Sequence, residues 1–225
     1  MSSPDSSNVD LESALSDLLT RARLSSYLEV TPSLSGALEL YEWNMRAAAS
    51  VLELTGMVEI VIRNALDRQL TRWAAGRGVP DWPDHAPLDP RGRQDLRAAS
   101  DRAGRASALP SRGRVIAELP FGFWRYLVSS RYHASLWVPS LHRAFPSGPA
   151  DLRARRREVE QRMRGLHVAR NRAAHHEPIH RRDLERDRTD AIDLLGWVDP
   201  VAATWAERTS SLRGVLEQRP RRSTE

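Results

Sequence analysis

Residues 34–73 read LSGALELYEWNMRAAASVLELTGMVEIVIRNALDRQLTRW, and this stretch decides the fold. Leu38, Tyr41, Met45, Ala48, Leu52, Thr55, Val58, Ile62, Leu66 and Trp73 recur at the spacing of one helix face. Thr31-Pro32-Ser33 just ahead is a helix start with proline in the first turn. The period predicts a main core helix, or a pair of collinear ones.

Working outward, helical spacing recurs on both sides. A short helix is expected near Val9 to Arg23. Asp89-Pro90 offers a cap and a first-turn proline for a polar helix over 91–108, with Pro110 beyond it. Phe121, Phe123, Trp124, Tyr126, Tyr132 and Trp137 crowd the next segment and predict a second part of the core. A basic helix from Asp151 to about His176 is closed by Pro178, and apolar residues at helical spacing return over 183–197 and 200–216. No repeat and no convincing series of strands is visible. The expectation is an all-α, single compact multi-helix bundle over 9–217, with unstructured tails at 1–8 and 218–225.

Composition narrows the function. The 225 residues include no cysteine, which excludes disulfides, thiolate zinc sites and a cysteine nucleophile. No stretch approaches the roughly 18 consecutive apolar residues of a membrane span, and the N-terminus lacks the layout of a secretory signal. A soluble cytoplasmic protein without membrane contact is expected. The 34 basic residues, all arginine, exceed the 29 acidic ones for a net charge of +5. Between Arg153 and Arg188 stand twelve arginines and six acids, so the excess positive charge lies in one window. Guanidinium forks suit phosphate, and a phosphate-bearing partner would be steered there. A solvated helix face would have the same composition.

Within that window, residues 167–180 read HVARNRAAHHEPIH. At about 100° per residue, His167, Asn171 and His175 share a helix face, so Asn171 can reach the His175 ring. Arg170 points to the side of that face, and it converges with His175 only if Pro178 distorts the helix or a two-fold mate supplies it. An Arg, an Asn and a His without a Ser or Cys nucleophile suit RNA cleavage. There the ribose 2′-OH is the nucleophile, a histidine moves the proton, and an arginine neutralises charge on the phosphorane. An ordinary helix end with two surface histidines has the same spacing. His176 and His180 are four apart, but Pro178 lies between them and no carboxylates match, so neither a metal site nor another cofactor is expected.

Arg170-Asn171 followed by His175-His176-Glu177-Pro178-Ile179 resembles the signature of the Abi-like (abortive infection) proteins of the HEPN superfamily. Leu40–Asn44, Val58–Asp67, Glu118–Trp124, Arg131-Tyr132 with Leu136-Trp137, and Trp197–Pro200 resemble that family's landmarks in the same order. The resemblance implies a helical domain that dimerises and, in active members, cleaves RNA without metal at a cleft between protomers. Carried over, Arg170 would bind and stabilise the phosphate, Asn171 would position, and His175 would be the general acid or base. His176 follows the pattern with a less defined role. Arg156, Arg164 and Arg172 are the expected RNA contacts.

Glu59 falls on the apolar stripe, where an unpaired carboxylate is costly, and Arg63 is one turn on. They are expected either to pair and orient long helices or to support the Arg170–His175 site, with Asn64 a weaker candidate. Two functions compete. One is a metal-independent endoribonuclease of phage defence or toxin type, either free or held by an antitoxin or trigger protein. The other is a non-catalytic RNA-binding or regulatory module of the same fold.

Overall fold

The computed structural model describes residues 5–106 and 111–220, and among them every regular element is helical. In chain order these are α1 (Asp5–Leu19), α2 (Arg21–Leu28), α3 (Leu34–Ala75), α4 (Trp82–His85), α5 (Pro90–Ala106), α6 (Arg112–Glu118) and α7 (Phe121–Leu127). Short turns of 3-10 and π type come next, between Ser130 and Ala144, then α8 (Leu152–Ala174), α9 (Leu184–Val198), α10 (Pro200–Thr209) and α11 (Leu212–Glu217). Among the described residues no helix is long and apolar enough to cross a membrane.

The α3 stretch is one unbroken helix of 42 residues. Ser33 caps it, its Oγ accepting from the Gly36 amide at 3.1 Å, which places Pro32 before the cap rather than in the first turn. At the other end Gly78 takes φ 68, and the amides of Gly78 and Val79 return to the carbonyls of Ala75 and Ala74. This left-handed closure needs no Cβ, and glycine suits it. The expected stripe holds at Leu38, Ala48, Thr55, Val58, Ile62 and Leu66, all buried, but Met45 and Leu52 are exposed. Apolar residues surround much of this helix, so tertiary packing rather than periodicity selects the covered face.

The described residues group into two compact units, each assembled from segments far apart in sequence. The first comprises residues 5–53, 169–185 and 210–220. Its core packs Leu24 and Tyr27 of α2, Leu40, Trp43 and Ala47 of α3, and Ile179 and Leu212. The Trp43 indole donates to the Val215 carbonyl at 2.7 Å, tying α11 to α3. Ser211, at the start of α11, donates through its amide and hydroxyl to Glu53 at 2.8 and 2.6 Å.

The second unit comprises residues 54–106, 111–168 and 186–209. The expected aromatic anchor forms here: Phe121, Phe123, Trp124, Tyr132 and Trp137 are buried, and the Phe123 and Trp124 rings meet edge to face at 5.1 Å. Tyr126 is half-buried and donates its hydroxyl to Asp89 at 2.9 Å. Asp89 caps α5 as expected, accepting from the Gly92 amide. Burial pushes the Asp89 carboxyl up, but the hydrogen bonds from Gly92, Tyr126 and Tyr132 and the nearby Arg131 outweigh it and hold the group below the usual range.

Several boundaries differ from expectation. The helix near Val9 starts at Asp5 and is broken at Thr20, whose φ is 67. Helix α5 is described to Ala106, and Pro110 lies outside the described residues. The helix expected over 200–216 is broken at Ser210, giving α10 and α11. Of the two expected tails, residues 1–4 and 221–225 lie outside the described residues.

Candidate functional site

Arg170, Asn171, His175, His176 and Arg172 all belong to the first unit, where α8 ends. That end is built by its last carbonyls. The His176 amide donates to the Ala173 carbonyl at 3.2 Å and the Glu177 amide to the Arg172 carbonyl at 2.8 Å, while His176 takes φ 56. These two bonds around a left-handed residue form a Schellman closure, with His176 where glycine is usual. The helix therefore ends at Ala174, short of the expected His176. Pro178 cannot continue it, and the turn is complete before the proline is reached.

The Arg170 guanidinium, half-buried, donates through Nη1 to Asn171 Oδ1 at 3.4 Å. The structure thus brings the Arg and the Asn of the signature side by side. His175 and His176 are both exposed just past the helix end. Arg172 is exposed and pairs with Glu177 at 3.1 Å, so its charge is partly neutralised at the surface.

The chain beyond the helix end is held tightly. Arg23 of α2 donates to the carbonyl of His176, and its guanidinium lies 5.9 Å from the Tyr41 ring centroid. The buried Asn44 side chain accepts from the Ile179 amide at 2.8 Å. His180 is buried against Tyr27, with ring centroids 4.6 Å apart, and its carbonyl accepts from Arg219 at 2.6 Å. Burial drives the His180 pKa down to about 4, helped by the charges of Arg181 and Arg219 and opposed by Glu29. Burial likewise raises the Tyr27 hydroxyl to about 12. Sequence reasoning assigned no role to Arg23 or Asn44. They lie more than 130 residues from the atoms they hold, and no local pattern links them.

The remaining expected residues lie in the second unit. Glu59 and Arg63 are half-buried and Asn64 is exposed. Arg63 donates to the Ala117 carbonyl at 3.4 Å, near the end of α6. Arg156, expected to face RNA, is buried at 9% exposure, and its guanidinium is taken by the Val128 carbonyl and Glu160. It does not present itself to a polyanion. Arg164 is exposed, as are Arg153 and Arg157 at the same helical period of α8. The His167 ring meets Phe121 edge to face at 5.9 Å and lies against Gly122, where a Cβ would stand 3.4 Å from His167 Nε2, an ordinary contact. Among the described residues no group of three or more His, Cys, Asp or Glu is placed to hold a metal ion.

Compared with family models, curated proteins and solved structures, the chain matches none.

Proposed function

We propose that this chain is an Abi-like endoribonuclease of the HEPN type, cleaving RNA without a metal by attack of the ribose 2′-OH. The observation that supports this reading is the end of α8, where Arg170 is held against Asn171 and His175 stands exposed beyond them. In the step, the 2′ oxygen bonds to phosphorus as the bond from phosphorus to the 5′ oxygen breaks. The 2′ proton leaves to a base, and the 5′ oxygen receives one. Arg170 offsets the charge on the phosphorane oxygens, and His175 moves one proton. A two-fold dimer would supply a second copy of His175 for the other. Separately, within the second unit, the exposed Arg153, Arg157 and Arg164 form a row of guanidiniums suited to a phosphate backbone.

A second reading, a non-catalytic RNA-binding module, is favoured by one feature. The Schellman closure alone accounts for the backbone at His175 and His176. The test separates the two. Purified protein is incubated with total cellular RNA in excess EDTA beside Arg170→Ala and His175→Ala, and product ends are mapped. The expected result is cleavage leaving 2′,3′-cyclic phosphate and 5′-hydroxyl ends, reduced about 10²–10⁴-fold in each variant. RNA bound with no product would favour the module. Cleavage undiminished in both variants would overturn the site.

A further inference from the structure

We propose that the end of α3, with Trp73, Arg77 and His85, forms a binding site for one nucleotide unit, a planar base carrying a phosphate. The site is a cavity of about 440 Å³ within the second unit, inside the size range of ligand pockets. It uses none of the residues of the cleavage reading and does not depend on it.

The site follows from how α3 stops. Gly78 takes φ 68, and the amides of Arg77, Gly78 and Val79 return to the carbonyls of Ala74 and Ala75 at 3.0 to 3.1 Å. This closure leaves Arg77 exposed just past the helix, with its guanidinium 4.5 Å from the centroid of the half-buried Trp73 ring. Among the described residues that guanidinium has neither a carboxylate nor a hydrogen-bond acceptor as partner. The indole fixes where the charge stands, and the N–H donors of the fork are left for a ligand. Among the described residues no carboxylate besides lines the cavity, so nothing in its wall offsets Arg77. The negative end of the α3 dipole opposes an anion, but the returning amides weaken it by taking the last carbonyls.

The other walls call for more than a bare anion. Trp73, Val79, Pro87 and Pro139 give the cavity apolar surface. Indole and guanidinium are both groups on which a nucleobase stacks. His85 lines the same space, and its Nδ1 donates to the Asp81 carbonyl at 2.8 Å. In the neutral ring Nε2 is then left as an acceptor for a ribose hydroxyl or an exocyclic amine. Ser135 adds a hydroxyl from the π-type turn His133–Trp137, and turns of this kind are rare and recur at functional sites. A free cation, an aromatic wall and hydrogen-bonding groups around one cavity match the phosphate, base and sugar of a nucleotide.

The test titrates the full-length protein at low salt with adenosine 5′-monophosphate, inorganic phosphate, adenosine and a short single-stranded oligoadenylate, following the imidazole nitrogens by NMR. The expected result is saturable binding of the mononucleotide, at least about fivefold tighter than that of phosphate or adenosine alone. The His85 nitrogens should shift and those of His180 stay still. Arg77→Gln should weaken the mononucleotide about tenfold, while Arg68→Gln, the same charge change at an exposed position of α3 outside the cavity, should alter it by less than about twofold. With that dependence on Arg77 in place, tighter binding of the oligoadenylate identifies the occupant as a nucleotide of a single strand, and tighter binding of the mononucleotide identifies it as free. Absence of saturation, unmoved His85 signals, phosphate or adenosine binding as tightly as the mononucleotide, or equal loss in the two variants would each overturn the proposal.

Discussion

Arg23 of α2 donates to the carbonyl of His176, the residue that closes α8 in a left-handed conformation. A side chain 153 residues away thus holds the backbone just after the signature arginine, asparagine and histidine. The contact explains how a turn with an unfavourable φ is kept in one geometry.

The left-handed φ makes His176 a backbone element first. A non-glycine residue there costs about 1–2 kcal/mol, part of which glycine returns to chain entropy when unfolded. His176→Gly should therefore raise stability by up to about 1 kcal/mol in urea unfolding. A drop in stability would show that the imidazole itself contributes to the fold.

Asn44 satisfies the buried Ile179 amide. Removing the acceptor strands a donor away from water, so Asn44→Ala should cost about 1–3 kcal/mol. Hydrogen exchange at the Ile179 amide should speed up with it. Unchanged protection of that amide would mean another group takes the bond.

His180 gives the stability a pH dependence with a definite sign. Its pKa is about 4 folded and near 6.5 when exposed, so between these values the unfolded chain binds more protons. Its contribution is complete above about pH 6.5 and is lost as pH falls toward 4, on the order of 3 kcal/mol in all. Urea midpoints for wild type and His180→Gln, compared from pH 7 to pH 4.5, measure it. Parallel curves would refute the assignment to His180.

Two arginines of α8, two positions apart, should behave oppositely. Arg162 lies 3.3 Å from Asp190 and 3.4 Å from Asp193, pairs with Glu158, and sits 4.6 Å over the Trp197 ring. With its side chain at 18% exposure, Arg162→Ala should cost about 3 kcal/mol by leaving half-buried carboxylates without their cation. Arg164→Ala at the exposed position should change stability by less than about 0.5 kcal/mol. If RNA binds, the same change should lower affinity and reduce the salt slope by about one. Equal destabilisation by both would contradict the burial difference.

Much of the architecture is legible in the chain itself. The α3 period, the Asp89-Pro90 start of α5 and the aromatic anchor around Trp124 are local signals, set by spacing and by capping chemistry that act over a few residues. Charge was legible only as a total. The basic window reads as one surface, yet Arg155, Arg156 and Arg162 are spent on carbonyls and carboxylates, while others such as Arg153, Arg157, Arg164 and Arg172 are exposed. Met45 and Leu52 likewise match the stripe in spacing but face outward, because a helix that is apolar on several sides can be covered on only some of them.

The sequence by itself determined that the protein is all-α, where its main helices begin, and that an arginine, an asparagine and two histidines share one short stretch. Only the tertiary structure decided that His176 closes the helix, that Arg23 and Asn44 hold the chain beyond it, and that His180 is buried beside two arginines. Helical period and turn chemistry depend on near neighbours, whereas burial and long-range hydrogen bonds depend on which distant segments pack together.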